Sequence, residues 1–328
     1  MAILFMGGEE IDFTPFGTVG TSTASGSFRS DFARCSLRIC GGPSLGNRAY
    51  GAFTRGSSGF WISARVSTPT QGLIAAPGLP LIALYRGQDA ILAITMDDDR
   101  VYHLGVWEDQ ATFTVLASAT SSQPVGLHKI DLQVEYGSPG VARLYVNQVL
   151  VIEYTGNGMQ VGSGVELDGF ALASPAADSS ETYWSEVISA ERDTRTMMLK
   201  THAPVTTAAD SEWTGTHSDI DDIGIIETDG ITSNTADQVA MFGVSDLLNG
   251  NLAIRGFKVS GYAARGEVGP THIELGIRTD STMAFSAPFA LDTGWSRVGH
   301  IFEINPVTNA AWTVADINDI EIGVRSKN

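Results

Sequence analysis

Cysteine, basic side chains and long apolar runs are all scarce in this chain, and each scarcity removes a class of function. There are 20 Lys and Arg against 37 Asp and Glu, a formal net charge of −17. Gripping a nucleic-acid backbone needs clustered cations that displace counterions, and Arg29, Arg34 and Arg38 are the nearest approach to a cluster. No apolar run nears the ~20 residues that cross a bilayer. The opening Met1–Met6 has neither the basic start nor the long apolar stretch of a secretion leader, so synthesis in the cytoplasm without membrane insertion is expected. Cys35 and Cys40 are the only cysteines. Five apart on extended chain they point to opposite faces, and two thiols alone make no zinc site, so reduced, partly buried thiols are expected.

Catalytic signatures are missing too. There is no P-loop lysine spacing, and the six histidines stand singly. Glu227, Asp229 and Glu153 are the nearest approach to a glycosidase carboxylate pair, and none lies in a clear E-x-D-x-E strand. Apolar residues seldom recur at helical spacing, whereas Gly, Ser, Thr, Val and Ile are plentiful, which predicts a mostly β protein.

The plainest pattern is HKIDLQVEYGSPGVARLYVNQVLVIEYTG, residues 128–156. Ile130, Leu132, Val134 and Tyr136 alternate with polar residues, so one face of a strand is apolar. Gly137–Gly140 turns the chain, Ala142, Leu144 and Val146 resume the alternation, and Asn147-Gln148 makes a tight turn into Val149–Ile152. This is an antiparallel meander with one wet face. Upstream, Phe60–Val66, Pro80–Tyr85, Ala90–Thr95 and Val101–Val106 read as further strands, with an acidic turn at Met96–Arg100.

That order of parts, an aromatic strand, an acidic hairpin and RLYVNQVLV, resembles the concanavalin-A-like and laminin-G-like jelly rolls, with Asn147-Gln148 where Asp-Gly is usual. The resemblance implies a fold often used to bind glycans or proteins. A second resemblance covers most of the chain. FMGGEE at the start, then WSEVISAERDTR, SEWTG, TSNTADQVAMF and the closing NPVTNAAWTVADINDIEIGV are similar to a family of tailed-bacteriophage structural proteins, in which a jelly roll precedes a second β module. It implies a virion component, usually of the tail or its adhesion apparatus.

The expected architecture is therefore all-β: an extended N-terminal arm over residues 1–58, a jelly roll over 59–182 and a C-terminal β-sandwich over 183–328. In the closing motif, Thr313 and Asp316 form a capping box that opens a short helix, Trp312 packs back as a staple, and Ile317 and Ile320 face the same core.

Two acidic loops present carboxylates that a calcium ion, with six to eight oxygen ligands, would need. One is Asp97, Asp98 and Asp99, with Glu108 and Asp109; the other is Asp219, Asp221 and Asp222. Asp97, Asp99, Asp219 and Asp221 are the calcium candidates, against the plain reading of solvated turns; no other cofactor is expected. Tyr102, Trp107, Trp184 and Trp213 lie near expected loops or strand ends and are candidates for stacking on sugar rings, against the alternative that each is core. Trp61 and Trp295, in clean alternating strands, are assigned to cores. The expected function is a non-enzymatic structural protein of a tailed-phage virion, in the distal tail or baseplate. Its expected partners are other virion proteins, further copies of itself and a host glycan. The rivals are a capsid decoration protein and a tail glycan depolymerase.

Overall fold

The computed structural model describes residues 2–24, 26–42, 46–53, 58–108, 112–159, 167–247 and 252–328. It divides into a first unit, Met1–Thr201, and a second, His202–Asn328.

The first unit is two antiparallel sheets. One runs in the order β13 (Val149–Gly156), β12 (Gly140–Val146), β11 (Gly126–Glu135), β6 (Gly59–Thr68), β15 (Glu181–Ala190), β4 (Ser36–Cys40) and β3 (Val19–Ser22), with β1 (Ile3–Gly7) also on β15. The other runs β10 (Phe113–Ser118), β9 (Tyr102–Trp107), β8 (Asp89–Met96), β7 (Leu79–Arg86), β14 (Gly169–Ala173), β5 (Arg48–Ala52) and β2 (Thr14–Phe16). Phe60, Ile62, Ala64 and Val66 of β6, Ile130, Leu132 and Val134 of β11, and Leu92, Ile94, Tyr102 and Leu104 of the facing sheet fill the space between them. The expected meander is present. Asn147 and Gln148 both have positive φ, 48° and 71°, the type I′ geometry that matches strand twist.

Two boundaries differ from the expectation. The N-terminal residues are no arm, because β1, β2 and β3 hydrogen-bond to β15, β5 and β4 inside the sandwich. Glu181–Ala190, expected to open the second domain, is instead an interior strand of the first sheet, flanked by β6 on one side and by β4 and β1 on the other. The register of β15 shifts between Ser185 and Ile188, and Glu186 sits there at φ 51°. This bulge sends Glu186 to the outer face, where its carboxylate takes the Arg29 guanidinium at 3.0 and 2.8 Å and lies 2.8 Å from Arg65 Nε. Residues 191–201 continue across that outer face. Lys129 Nζ donates to the carbonyls of Thr194, Arg195 and Met197 at 2.8, 2.9 and 3.0 Å, and Thr194 Oγ1 donates to Asp131 at 3.1 Å.

The second unit has one larger sheet, in the order β16 (Pro204–Thr207), β17 (Val239–Val244), β23 (Glu321–Lys327), β19 (His272–Thr279) and β20 (Thr282–Phe285), with β21 (Phe289–Ala290) also on β19. A two-stranded ladder of β18 (Phe257–Ala263) and β22 (Ser296–Phe302) completes it. Ile273, Leu275 and Ile277 of the sheet pack with Val259, Val298 and Phe302 of the ladder. The short helix α1 (Val314–Asn318) closes this core as expected: Asp316 N donates to Thr313 Oγ1 at 3.1 Å in a full capping box, and Ile317 and Ile320 are buried. Trp312 is buried beside them, its Nε1 donating to Phe302 O at 2.7 Å.

Candidate functional site

Each acidic loop ties one carboxylate internally and leaves others in solvent. Asp97 is only 5% exposed; Oδ1 accepts Val101 N at 2.8 Å and Oδ2 lies 2.9 Å from His103 Nε2. Asp98 and Asp99 point into solvent, Glu108 accepts from Thr114 Oγ1 at 2.7 Å, and Asp109 lies outside the described residues. Asp219 caps a single 3-10 turn by accepting Thr216 N at 2.7 Å, with Asp221 and Asp222 exposed beyond it. Among the described residues no three His, Cys, Asp or Glu side chains are arranged to hold a metal ion. Of the calcium candidates, Asp97 and Asp219 take part in turn and cap hydrogen bonds, and Asp99 and Asp221 are exposed.

The aromatic candidates are largely reversed. Tyr102 and Trp184 are fully buried, Tyr102 with its hydroxyl 2.9 Å from His128 Nε2 and Trp184 with Nε1 donating to Ala173 O at 3.0 Å. Neither reaches solvent, so neither is a sugar platform. Trp107 is half-buried edge-on to Phe113 at 5.1 Å. Trp213 packs against the second core and donates to Gln238 O at 3.1 Å. The two tryptophans assigned to cores are the ones outside them. Trp61 shares the outer face of β6 with Ser63 and Arg65 and stacks on Tyr145 at 5.7 Å, with the Arg195 guanidinium 5.4 and 4.5 Å from the two ring centroids. Trp295 is 41% exposed.

Around Trp295 the second unit builds its most open aromatic surface among the described residues. The rings of Trp295 and Tyr262 lie 5.2 Å apart and within 11° of parallel. Strand alternation explains the position. Val259 on β18 and Val298 on β22 face the core, so Lys258, Ser260 and Tyr262 face outward together with Arg297 and Gly299 opposite them. Arg297 pairs across the ladder with Tyr262, its guanidinium 5.2 Å from the tyrosine ring. The Nε of Arg297 is screened from water and has no acceptor within the protein. Glu227 Oε1 stands 3.5 Å from the Tyr262 hydroxyl on the other side. Flat aromatic area, a guanidinium, a carboxylate and the Ser260 hydroxyl are therefore collected on one face. Such a surface can stack on the C–H face of a sugar ring while its rim meets hydroxyls. Trp295 was expected inside; it stands just before β22 and three residues from core-facing Val298, on the side it shares with Arg297 and Tyr262.

No family model matches this chain, and no curated protein matches it. Solved structures do. The cellulose-induced protein Cip1 matches at 16% identity over 57% of this chain and 92% of its own, with a TM-score of 0.39. Alginate lyase Aly36B matches at 10% identity over 57% and 100%, TM-score 0.37. The carbohydrate-binding module CBM66 from Bacillus subtilis matches at 16% identity over 54% and 94%, TM-score 0.34. These proteins and this chain are similar as jelly-roll-like β-sandwiches. With a lyase among them, the expectation of a protein without enzymatic activity is withdrawn. The likeness to phage virion proteins finds no counterpart in these comparisons.

Proposed function

We propose that this chain is a glycan-binding component of a tailed-phage virion, located in the distal tail or baseplate, assembled from several copies after synthesis in the host cytoplasm. The glycan reading is carried by one observation: the exposed Trp295–Tyr262 surface with the Arg297 guanidinium beside the tyrosine ring. Stacking supplies affinity for the apolar face of a pyranose, and Arg297, Glu227 and Ser260 offer donors and acceptors of both kinds to its hydroxyls. With a net charge of −17 the protein is suited to a neutral polysaccharide rather than to a polyanion. The virion reading is supported by the ordered motifs from WSEVISAERDTR to NPVTNAAWTVADINDIEIGV.

Two measurements test the two halves separately. Titrating the full chain with neutral polysaccharides of the host surface should quench Trp295 fluorescence, and Trp295→Ala should weaken binding at least tenfold; equal binding by the variant removes the platform. Electron microscopy of virions labelled with an antibody fragment against the second unit should place label at the tail tip. Label over the head makes this a capsid decoration protein instead, and unlabelled, permeabilised particles would end the virion reading.

A further inference from the structure

The outer face of the β10–β9–β8 sheet holds an arrangement that the glycan reading does not use. Ser118 of β10 pairs directly with His103 of β9. Ala119 N donates to Tyr102 O at 2.8 Å, so Ser118 and His103 are a non-hydrogen-bonded pair, the type in which facing side chains come closest. Ser118 Oγ is 2.7 Å from His103 Nδ1, and His103 Nε2 is 2.9 Å from Asp97 Oδ2. Asp97 is fixed in turn by Val101 N on its other oxygen. Because a carboxylate at neutral pH only accepts, Nε2 carries the ring proton, Nδ1 presents its lone pair, and the Ser118 hydroxyl donates to it. Exposure rises along the series: Asp97 and His103 are buried at 5% and 7%, and Ser118 is open to solvent.

The geometry points to a nucleophilic serine, and we infer that Ser118, His103 and Asp97 form an acyl-transfer site for small carboxylic esters. This is the nucleophile, base and orienting acid of serine hydrolases, which is recognised by geometry and recurs on unrelated folds. Ser118 Oγ attacks the ester carbonyl as its proton passes to His103 Nδ1, while Asp97 stabilises the imidazolium through Nε2–H. The tetrahedral oxyanion collapses, the C–O bond to the alcohol breaks, and His103 returns its proton to the departing alkoxide. Water, deprotonated by the same nitrogen, then hydrolyses the acyl-serine and restores the Ser118 hydroxyl. The Ser118 N–H is the donor assigned to the oxyanion. β10 is the last strand in its sheet's order among the described residues, and the pairing type turns the Ser118 N–H away from β9.

The test uses the full chain and a fluorophosphonate probe, which labels activated serines, followed by peptide mapping. The expected adduct is on Ser118, absent in Ser118→Ala, whose exposed position leaves folding unchanged. Hydrolysis of p-nitrophenyl acetate should pass through an acetylated Ser118 and fall on the order of a hundredfold or more in Ser118→Ala. Asp97 acts through His103 as a positioning residue. Asp97→Asn should lower kcat with little change in KM and alter the pH profile, which a merely structural role would not do; its unfolding midpoint is recorded alongside. An unlabelled Ser118 in the wild-type chain, or ester hydrolysis by Ser118→Ala at the wild-type rate, overturns the assignment.

Discussion

Replacing Lys129 by Met tests how the segment 191–201 is held on the first unit. The ammonium has three donors, and all three go to the carbonyls of Thr194, Arg195 and Met197, leaving Asp131, 3.4 Å away, as a charge partner. Lys129 is 8% exposed and Asp131 and Thr194 are fully buried. Burial pushes Lys129 below its usual range and Asp131 above its own, and the opposite charges work against both shifts. Methionine keeps the stem and deletes the charge. Summed at about 1.5–3 kcal/mol each, three charge-assisted hydrogen bonds overstate the loss, because the segment can lift into water and Asp131 can take up a proton. The measured cost of breaking a buried pair, about 3–5 kcal/mol, is the better figure. Adding Asp131→Asn removes the stranded charge and should recover about 1–3 kcal/mol of it. Hydrogen exchange read peptide by peptide separates global unfolding of the first unit from local lifting of 191–201, and trypsin at Arg192 and Arg195 reports the same lifting. A variant with unchanged exchange in both regions and unchanged cleavage would refute the claim that Lys129 fastens this segment.

Three further perturbations follow from single sites. His128 is held neutral, Nδ1 2.8 Å from Gly126 O and Nε2 accepting from Tyr102, and burial lowers its pKa. A base depressed in the folded state loses stabilisation as pH falls, so the first unit should weaken below about pH 6.5, the unfolded value; urea midpoints that stay level from neutral to mildly acidic pH would contradict this. Burial, with Glu9 nearby, pushes the Cys35 thiol up to about 12, while Cys40 is half-exposed. Iodoacetamide at neutral pH should therefore modify Cys40 first and reach Cys35 only on unfolding, as mass mapping would show. Gln148 occupies φ 71° in the I′ turn, a left-handed conformation that costs an L residue about 1–2 kcal/mol. Gln148→Gly should raise the unfolding free energy by about 1 kcal/mol once glycine's greater chain entropy is subtracted; a fall would refute the strain argument.

What could be read from the sequence was local. The β11–β12–β13 meander announced itself because alternation and a two-residue turn lie within thirty residues, and α1 did so through Thr313 and Asp316. Alternation groups side chains by face but does not say which face meets another sheet, and that is why Trp61 and Trp184 changed places between surface and core. The position of β15 was hidden because Glu181 pairs with Cys40, far away along the chain, and no local pattern encodes such a partner. The bulge at Glu186 shows itself only in register. The contact of Ser118 with His103 likewise required the β9–β10 register to the residue, across an irregularity between Val115 and Ala117. Trp295 was placed inside although it has the parity of outward-facing Arg297, because the sequence alone did not show that Val298 sets the core face.

The pairing of β1 with β15 has a mechanical consequence. Ile3 lies opposite Ala190, and the mouth of this ladder is tied by Glu191 N to Ala2 O at 2.8 Å and Ala2 N to the Glu191 carboxylate at 3.1 Å. Tension drawn between residue 2 and residue 201 reaches both strands from the same end. It breaks the Thr201 N–Phe32 O bond first, then strips the three carbonyls from Lys129, opens the Ala2–Glu191 tie, and then loads the β1–β15 bonds one after another instead of in shear. Under pull, this unit peels like a zipper at low force, while the same ladder gripped from opposite ends would hold.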